Sequence, residues 1–370
     1  MLSLVKNWFA PAAQSLSCPW PAGHRAARAS LSAAPAGESA SGGLAEVRDE
    51  RGISKPLGPL LARGGEGGVY RLAERDDVLV KVYHPEVLAD AARRRRLERK
   101  IGEMCQAQEL RNHSRAAWPR TGLLSSAGEW CGYAMLRKHG VSLRELCGNP
   151  VNLARLAPAW HRQHLVKLCV DFLDTIDAFC SKRTLPIDFN PSNFLVNVSA
   201  VEVNFIDCDG FQFLGASVMH LCEAVLPEMC APEILARKNW REVPVAASSL
   251  RFSIGMMLFY ILMVGNSPYR HRNGNDPVEN LANGCCGLGI GADCQLPSGL
   301  YYTIWSHLIF DLKALFIRCF RDGHGKPDAR PSVAEWRSVL VKYNACLRAG
   351  HAEASIIPDR PKSAEFRGPV

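Results

Sequence analysis

The residues of this sequence best suited to chemistry gather in two short segments. In the first, Ile187-Asp188-Phe189-Asn190-Pro191-Ser192-Asn193 leads into the apolar run Phe194-Leu195-Val196. In the second, Val203-Asn204-Phe205-Ile206 runs into Asp207-Cys208-Asp209-Gly210. Asp188 and Asn193 sit five apart in a loop before one apolar strand, and Asp207 ends the next. Together they gather oxygen atoms at one rim of a hairpin-like unit. Hard oxygen ligands of this kind suit Mg²⁺, which takes few protein groups and completes its shell with water and substrate phosphates. Taken singly, each segment also reads as an ordinary Asp/Asn-rich turn.

Two features upstream fit the same chemistry. The glycine-dense turn Gly64-Gly65-Glu66-Gly67-Gly68, followed by Val69, stands between two predicted strands. Its glycines let backbone N–H groups approach phosphate oxygens with no Cβ in the way, although a flexible hairpin without a ligand has the same composition. No Lys-Ser/Thr pair follows, so it is not a Walker loop. Lys81, between Val80 and Val82 on the strand after the turn, is placed to reach bound phosphates, whereas a lone strand lysine more often faces solvent or a sheet edge. The helix that follows offers it a partner. Leu97, Ile101, Met104 and Cys105 mark the inner face, and Glu98 lies one residue from it; Glu103, the alternative, falls nearly opposite.

The elements that must position these groups change along the chain. From Gly58 to Ala134 the signals are short β-type runs, Val69 to Leu72, Val78 to Tyr83 and Gly132 to Met135, interrupted by a helical stretch from Leu88 to Leu110. Beyond about residue 140 helices dominate. Trp160 to Phe179 places Leu165, Leu168, Cys169, Phe172, Leu173 and Ile176 at three- and four-residue intervals, and Ser253 to Val264 is apolar on every side, as in a buried helix. The 370 residues carry 47% hydrophobic and 22% charged residues with a formal net charge of +8, the proportions of a globular protein rather than a disordered or fibrous one. No run of about 18 apolar residues is present, so no membrane span is expected and a cytoplasmic location is. The 14 cysteines are scattered without a C-x-x-C pair and read as reduced thiols, the local group Cys285, Cys286 and Cys294 included. The basic run Arg93 to Arg96 with Arg99 and Lys100 reads as a solvated helix face, so nucleic acid is not the expected partner. Residues 1–50 read as a disordered segment, rich in Ala, Ser, Pro and Gly, with a transit peptide as the lesser reading. Residues 349–370, with Pro358, Pro361 and Pro369, read as a loose tail.

Taken together and in order, these residues resemble the protein kinase family from about Leu57 to Leu347. The glycine turn is similar to the glycine-rich loop, Val80-Lys81 to the ATP lysine, Asp188 to Asn193 to the catalytic loop, and Asp207-Cys208-Asp209 to the D-F-G position. Ala231-Pro232-Glu233 reproduces the A-P-E triplet, Phe252-Ser253-Ile254-Gly255 looks like the central buried helix, and Arg330 stands where a late arginine would pair with Glu233. Within the family, Asp188 to Asn193 and Ile206 to Gln212 are similar to bacterial kinase-like proteins bearing G-D-x-N-P-S-N and I-D-T-D-S-F-Q. The resemblance implies an α+β bilobal fold over residues 51–348, with a small β-rich N-lobe (51–136) and a larger helical C-lobe (137–348). It implies ATP and Mg²⁺, with γ-phosphoryl transfer to Ser/Thr hydroxyls of a protein substrate. Gly64, Gly65, Gly67, Gly68 and Val69 would cover the nucleotide, and Met135 and Leu136 would meet its adenine edge. Lys81 would hold the phosphates and pair with Glu98, Asp188 would be the base, and Asn193 and Asp207 would be the metal ligands.

The sequence departs from that pattern at several positions. Ala62 replaces the first glycine of the loop and Glu66 stands at its tip, where a carboxylate repels phosphate unless it points to solvent. Pro186-Ile187 replaces the His-Arg ahead of Asp188, Asn190 stands where a lysine is frequent, Asp209 replaces the D-F-G glycine, and Leu250 takes the position of an Asp. Two alternatives follow: a pseudokinase scaffold that binds nucleotide without efficient catalysis, and a small-molecule kinase. The oligomeric state, the substrate and the role of the Gly- and Cys-rich stretch 273–299 have no signature.

Overall fold

Val78, Val80 and Val82 alternate along the chain with Leu79, Lys81 and Tyr83, the two-residue period of a strand with one face in a core. The computed structural model describes residues 46–362, in two compact units: residues 46–140 with Asn204–His220, and Val141–Val203 with residues 221–362. The chain is a mixture of α and β structure, strands concentrated in the first unit and helices in the second.

In the first unit β1 (Glu46–Arg48), β2 (Ser54–Arg63), β3 (Gly67–Leu72), β4 (Arg75–Tyr83), β5 (Pro119–Leu124) and β6 (Trp130–Leu136) form a closed antiparallel barrel in the order β1-β2-β3-β4-β6-β5. Val47, Val80, Leu123, Cys131 and Ala134 fill it, with Val78 and Val82 packed against them. That leaves Lys81 and Tyr83 on the opposite face of β4. Two glycines are required by close backbone approach. A Cβ on Gly67 would lie 2.4 Å from the Val82 carbonyl oxygen, and one on Gly132 would lie 2.0 Å from that of Lys81.

The helical stretch expected from Leu88 to Leu110 is three helices: α1 (Pro85–Ala89), α2 (Ala91–Gln106) and α3 (Gln108–Arg111). The break has a local cause. Asp90 accepts hydrogen bonds from the backbone N–H groups of Ala92 and Arg93 (2.8 and 3.2 Å), so it caps a new helix rather than continuing the old one. Leu97, Ile101 and Met104 are buried as expected, while Cys105 is only half-buried. The chain returns to this unit at Asn204. Phe205 donates its N–H to Arg115 (2.7 Å) and accepts from that of Ala117 (2.8 Å). A tight turn at Cys208–Gly210 and a short hairpin of Gln212–Leu214 with Met219–His220 follow.

The second unit contains β7 (Val141–Ser142), α4 (Leu143–Cys147), α5 (Pro150–Leu156), α6 (Arg162–Ser181), β8 (Thr184–Leu185), β9 (Phe194–Asn197), α7 (Pro232–Leu235), α8 (Ala247–Leu262), α9 (Pro277–Ala282), α10 (Leu300–His307), α11 (Phe310–Ile317) and α12 (Val333–Arg348). The α6 stripe anticipated from spacing is wholly buried, and α8 is buried along its length. β10 (Glu202–Phe205) carries the chain from this unit into the barrel unit.

Both chain ends carry expectations that the described residues reach only in part. Residues 1–45 lie outside them, and Glu46–Arg48 is strand β1 with Val47 fully buried. At the other end residues 363–370 lie outside them. Residues 354–362 are tied down: Arg162 donates its backbone N–H to Ala354 (2.8 Å) and its guanidinium to Ile356, and Lys362 donates its N–H to Ser306 Oγ (2.9 Å).

Candidate active site

Lys81 lies at the centre of the barrel unit's polar cluster. It is 5% exposed, and burial alone would push its pKa down. The carboxylates of Asp207 and Asp209, with Glu66 nearby, reverse this and hold it well above the ordinary lysine value. Lys81 Nζ lies 2.5 Å from Asp207 Oδ1, and 2.9 and 2.8 Å from Asp209 Oδ1 and Oδ2. Two hydroxyls complete the cluster. Tyr83 donates to Asp209 Oδ2 at 2.6 Å and Tyr133 to Asp209 Oδ1 at 2.8 Å. Strand geometry explains their arrival, since Tyr83 is two residues from Lys81 on β4 and Tyr133 is its direct cross-strand partner on β6.

The two aspartates differ. Asp209 is fully engaged, and its pKa is lowered: burial acts against it, but Lys81 and the two hydroxyls outweigh burial. Asp207 keeps 40% of its side chain exposed. Burial and the neighbouring Asp209 charge raise its pKa, opposed by Lys81. Its backbone is left-handed, at φ 58°, ψ 40°, a conformation that Asp tolerates better than most residues.

The glycine turn belongs to the same unit. Gly65 and Glu66 form its bend, Gly67, Gly68 and Val69 begin β3, and Val69 lies opposite Lys81 in the sheet. Glu66 accepts a hydrogen bond from Arg93 at 2.6 Å, so the tip carboxylate is neutralised by α2. Met135 and Leu136 end β6, Met135 being buried.

Glu98 is not brought to Lys81. It is exposed on α2, because Leu97 and Ile101 fix the buried face and rotate the neighbouring position to solvent. Glu103 does not take its place either: it accepts from Arg99 (3.0 Å) and from the backbone N–H of Ala216 (3.0 Å), and lies 3.1 Å from His220.

In the helical unit the loop at Asp188 is held from beneath. Phe189 and Phe194 pack on Phe172 of α6 at ring separations of 5.9 and 5.5 Å. Asn193, nearly buried, donates Nδ2 to Asp188 Oδ2 at 2.9 Å. An ionised carboxylate only accepts, so this bond uses the amide nitrogen and not Asn193 Oδ1. Carboxylate and amide oxygens are the donor set that Mg²⁺ takes, so Asn193 and Asp207 each fit the metal by chemistry. Arg144 of α4 also reaches the loop, donating to Ser192 Oγ (2.9 Å) and Asn190 Oδ1 (3.2 Å), which brings a guanidinium to the position where the sequence lacks a lysine. In the same unit Arg330 pairs bidentately with Glu233, both contacts at 2.7 Å.

The chain is 25% identical over 330 residues to Protein kinase YegI of Escherichia coli strain K12, covering 82% of this chain and 48% of that protein. It is 25% identical over 300 residues to Protein kinase YegI of Escherichia coli O157:H7, covering 76% of this chain and 43% of that protein. Both relatives are named as protein kinases. This distant likeness supports a kinase-like relationship. The chain spans about half the length of the curated relatives it matches. No protein-family profile matches it.

Asp209, Tyr83, Tyr133, Arg93 and Arg144 were not anticipated as site residues. Tyr83 was within reach, standing at i+2 from Lys81 on a strand and so on the same face. Tyr133 required the β4–β6 register, and Arg144 a contact spanning 46 residues of chain.

Proposed function

We propose that this chain is an ATP- and magnesium-dependent protein kinase that transfers the γ-phosphoryl group to Ser/Thr hydroxyls of a protein substrate. The observation that carries the reading is the buried Lys81 ammonium held by Asp207 and Asp209 on the face of β4 that the glycine turn adjoins. A cation seldom occupies so buried a position without a task for its charge. The strand-rich unit then corresponds to the small lobe, and the helical unit to the large lobe, of a kinase-like domain over residues 51–348.

In this reading Lys81 binds the α/β phosphates, and the turn Gly64 to Val69 covers them with backbone N–H groups. Met135 and Leu136 meet the adenine. Asp188 orients the attacking hydroxyl and takes its proton as that oxygen bonds to the γ-phosphorus and the bond to the ADP oxygen breaks. Asn193 and Asp207 hold magnesium, which when bound neutralises charge on the phosphate oxygens. The bidentate Arg330–Glu233 pair supports a peptide-binding segment, and so a protein rather than a small-molecule acceptor.

The test is transfer of γ-labelled phosphate to the protein itself or to a generic basic protein. Asp188→Asn and Asp207→Ala are expected to abolish labelling while leaving the melting temperature within a few degrees. Equal labelling by either variant would sink the assignment. A second reading, nucleotide binding without efficient transfer, is favoured by the pairing of Asp207 with Lys81 at 2.5 Å, which engages the carboxylate that would hold the metal. Binding of Mg-ATP with no labelling would select it.

A further inference from the structure

We infer that Asp209, rather than any carboxylate of α2, is the residue that positions Lys81, so that the placement of the lysine does not depend on where α2 stands. The inference rests on the phosphoryl-transfer reading above and adds a positioning residue to it.

Asp209 is only 5% exposed, and both its oxygens are taken. Oδ1 receives Lys81 and Tyr133, and Oδ2 receives Lys81 and Tyr83, at distances from 2.6 to 2.9 Å. The two hydroxyls come from different strands, β4 and β6, so the carboxylate is braced across the sheet. A carboxylate so engaged has no lone pair turned outward for metal or for proton transfer. Asp207, by contrast, makes a single contact to Lys81 and keeps 40% of its side chain exposed. The neighbouring aspartates have therefore separated their tasks, one facing inward to hold the lysine and the other outward to meet the substrate.

The helix takes no part in this. Glu98 is exposed, and Glu103 is committed to Arg99 and to the backbone of Ala216. Asp207 and Asp209 share one tight turn, closed by the Gly210 N–H donating to the Asp207 carbonyl at 3.1 Å and the Phe211 N–H donating to that of Cys208 at 3.0 Å. The metal ligand of the proposed reaction and the lysine's anchor thus belong to one short rigid piece of chain. What α2 holds is the chain beyond that piece, through Glu103 and Ala216.

The experiment uses the full chain, Mg-ATP and a generic basic acceptor, with initial rates over a range of ATP concentration. Asp209→Asn keeps the shape of the side chain and removes its charge. It is expected to lower kcat about 100-fold, the cost of misplacing a reacting group by about 1 Å, with KM for Mg-ATP within about threefold. Tyr133→Phe removes one brace and is expected to lower kcat about threefold to tenfold, while Glu98→Gln stays within about twofold of the parent. A Glu98→Gln loss equal to that of Asp209→Asn would overturn the inference, as would wild-type kcat in Asp209→Asn. If Asp209→Asn does not fold, Tyr133→Phe and Glu98→Gln decide by the same comparison. Absence of transfer by the parent protein removes the kinase reading and this inference with it, whereas transfer that survives Asp209→Asn removes the inference alone.

Discussion

Removing the carboxylate of Glu233 is expected to destabilise the helical unit by about 3–4 kcal/mol. Arg330 is almost wholly buried, and its guanidinium makes two 2.7 Å bonds to Glu233. It keeps three carbonyl acceptors in any Glu233 variant: Gly323 (2.8 Å), Ser248 (3.1 Å) and His324 (3.3 Å). Breaking a buried pair from one side costs about 3–5 kcal/mol, because the remaining charge is left without its counter-charge. The three carbonyls solvate part of that charge and place Glu233→Gln near the bottom of the range, about 3 kcal/mol. Glu233→Ala also strands the Ser249 hydroxyl, which donates to Glu233 at 2.7 Å, and is expected to cost about 4 kcal/mol. A unit of about 200 residues loses roughly 2–4 °C per kcal/mol, so the melting temperature should fall by about 6–16 °C. Scanning calorimetry with urea titration measures it. Burial opposes ionisation of Glu233, but the hydrogen bond and charge of Arg330 hold its pKa below the ordinary carboxylate value. Its contribution is therefore complete above the unfolded value of about 4.3 and is lost as pH falls toward the lower folded value. Glu233→Gln should flatten that acid limb. A loss under about 1 kcal/mol, or an unchanged acid limb, would show that the pair does not hold the unit together.

Other perturbations test other parts of the account. Gly132→Ala would place a Cβ 2.0 Å from the carbonyl oxygen of Lys81; it should destabilise the barrel unit by at least about 1–3 kcal/mol and weaken Mg-ATP binding, and a neutral effect on urea unfolding would contradict the register described. Ser332 and Glu335 cap α12 reciprocally, Ser332 Oγ accepting from the Glu335 N–H and Glu335 from the Ser332 N–H, so Ser332→Ala should cost about 1 kcal/mol in thermal unfolding. The Ser332 backbone bond and Arg318 draw the Glu335 pKa down to about 2. Its stabilising share is present above the unfolded value of about 4.3 and fades as pH falls toward the folded one, so Glu335→Gln should remove pH dependence in that window; NMR titration of the Glu335 carboxyl checks the cause.

The elements with clear apolar periodicity were readable from sequence. The α6 stripe from Leu165 to Ile176 is buried in full, and Val78 to Tyr83 lies within β4, because one-face burial imposes spacing that a sequence must display. The break of the long helical stretch at Asp90 was present as a capping signal but concealed by continuous helix-forming residues on both sides. The partner of Lys81 was misread for a more general reason. Glu98 is near in sequence, yet a position one residue from an apolar face is turned by about 100°, enough to carry it to solvent. Asp209, 128 positions from Lys81, read as the loss of a glycine, and its role follows only from chain return beside β4. A buried charge cluster is assembled by topology, so its members have no common spacing, and only Tyr83, two residues along the same strand, left a trace in the sequence.

If the Lys81 and Asp207 cluster receives a magnesium-bound nucleotide, as we propose, thermal unfolding of the intact protein must respond to Mg-ATP. At 100 times the dissociation constant the ligand should stabilise the protein by about 2.7 kcal/mol, roughly 5–11 °C. The gain should vanish when EDTA removes magnesium and in Asp207→Ala. A shift that survives both, or no shift at millimolar Mg-ATP, would contradict the account.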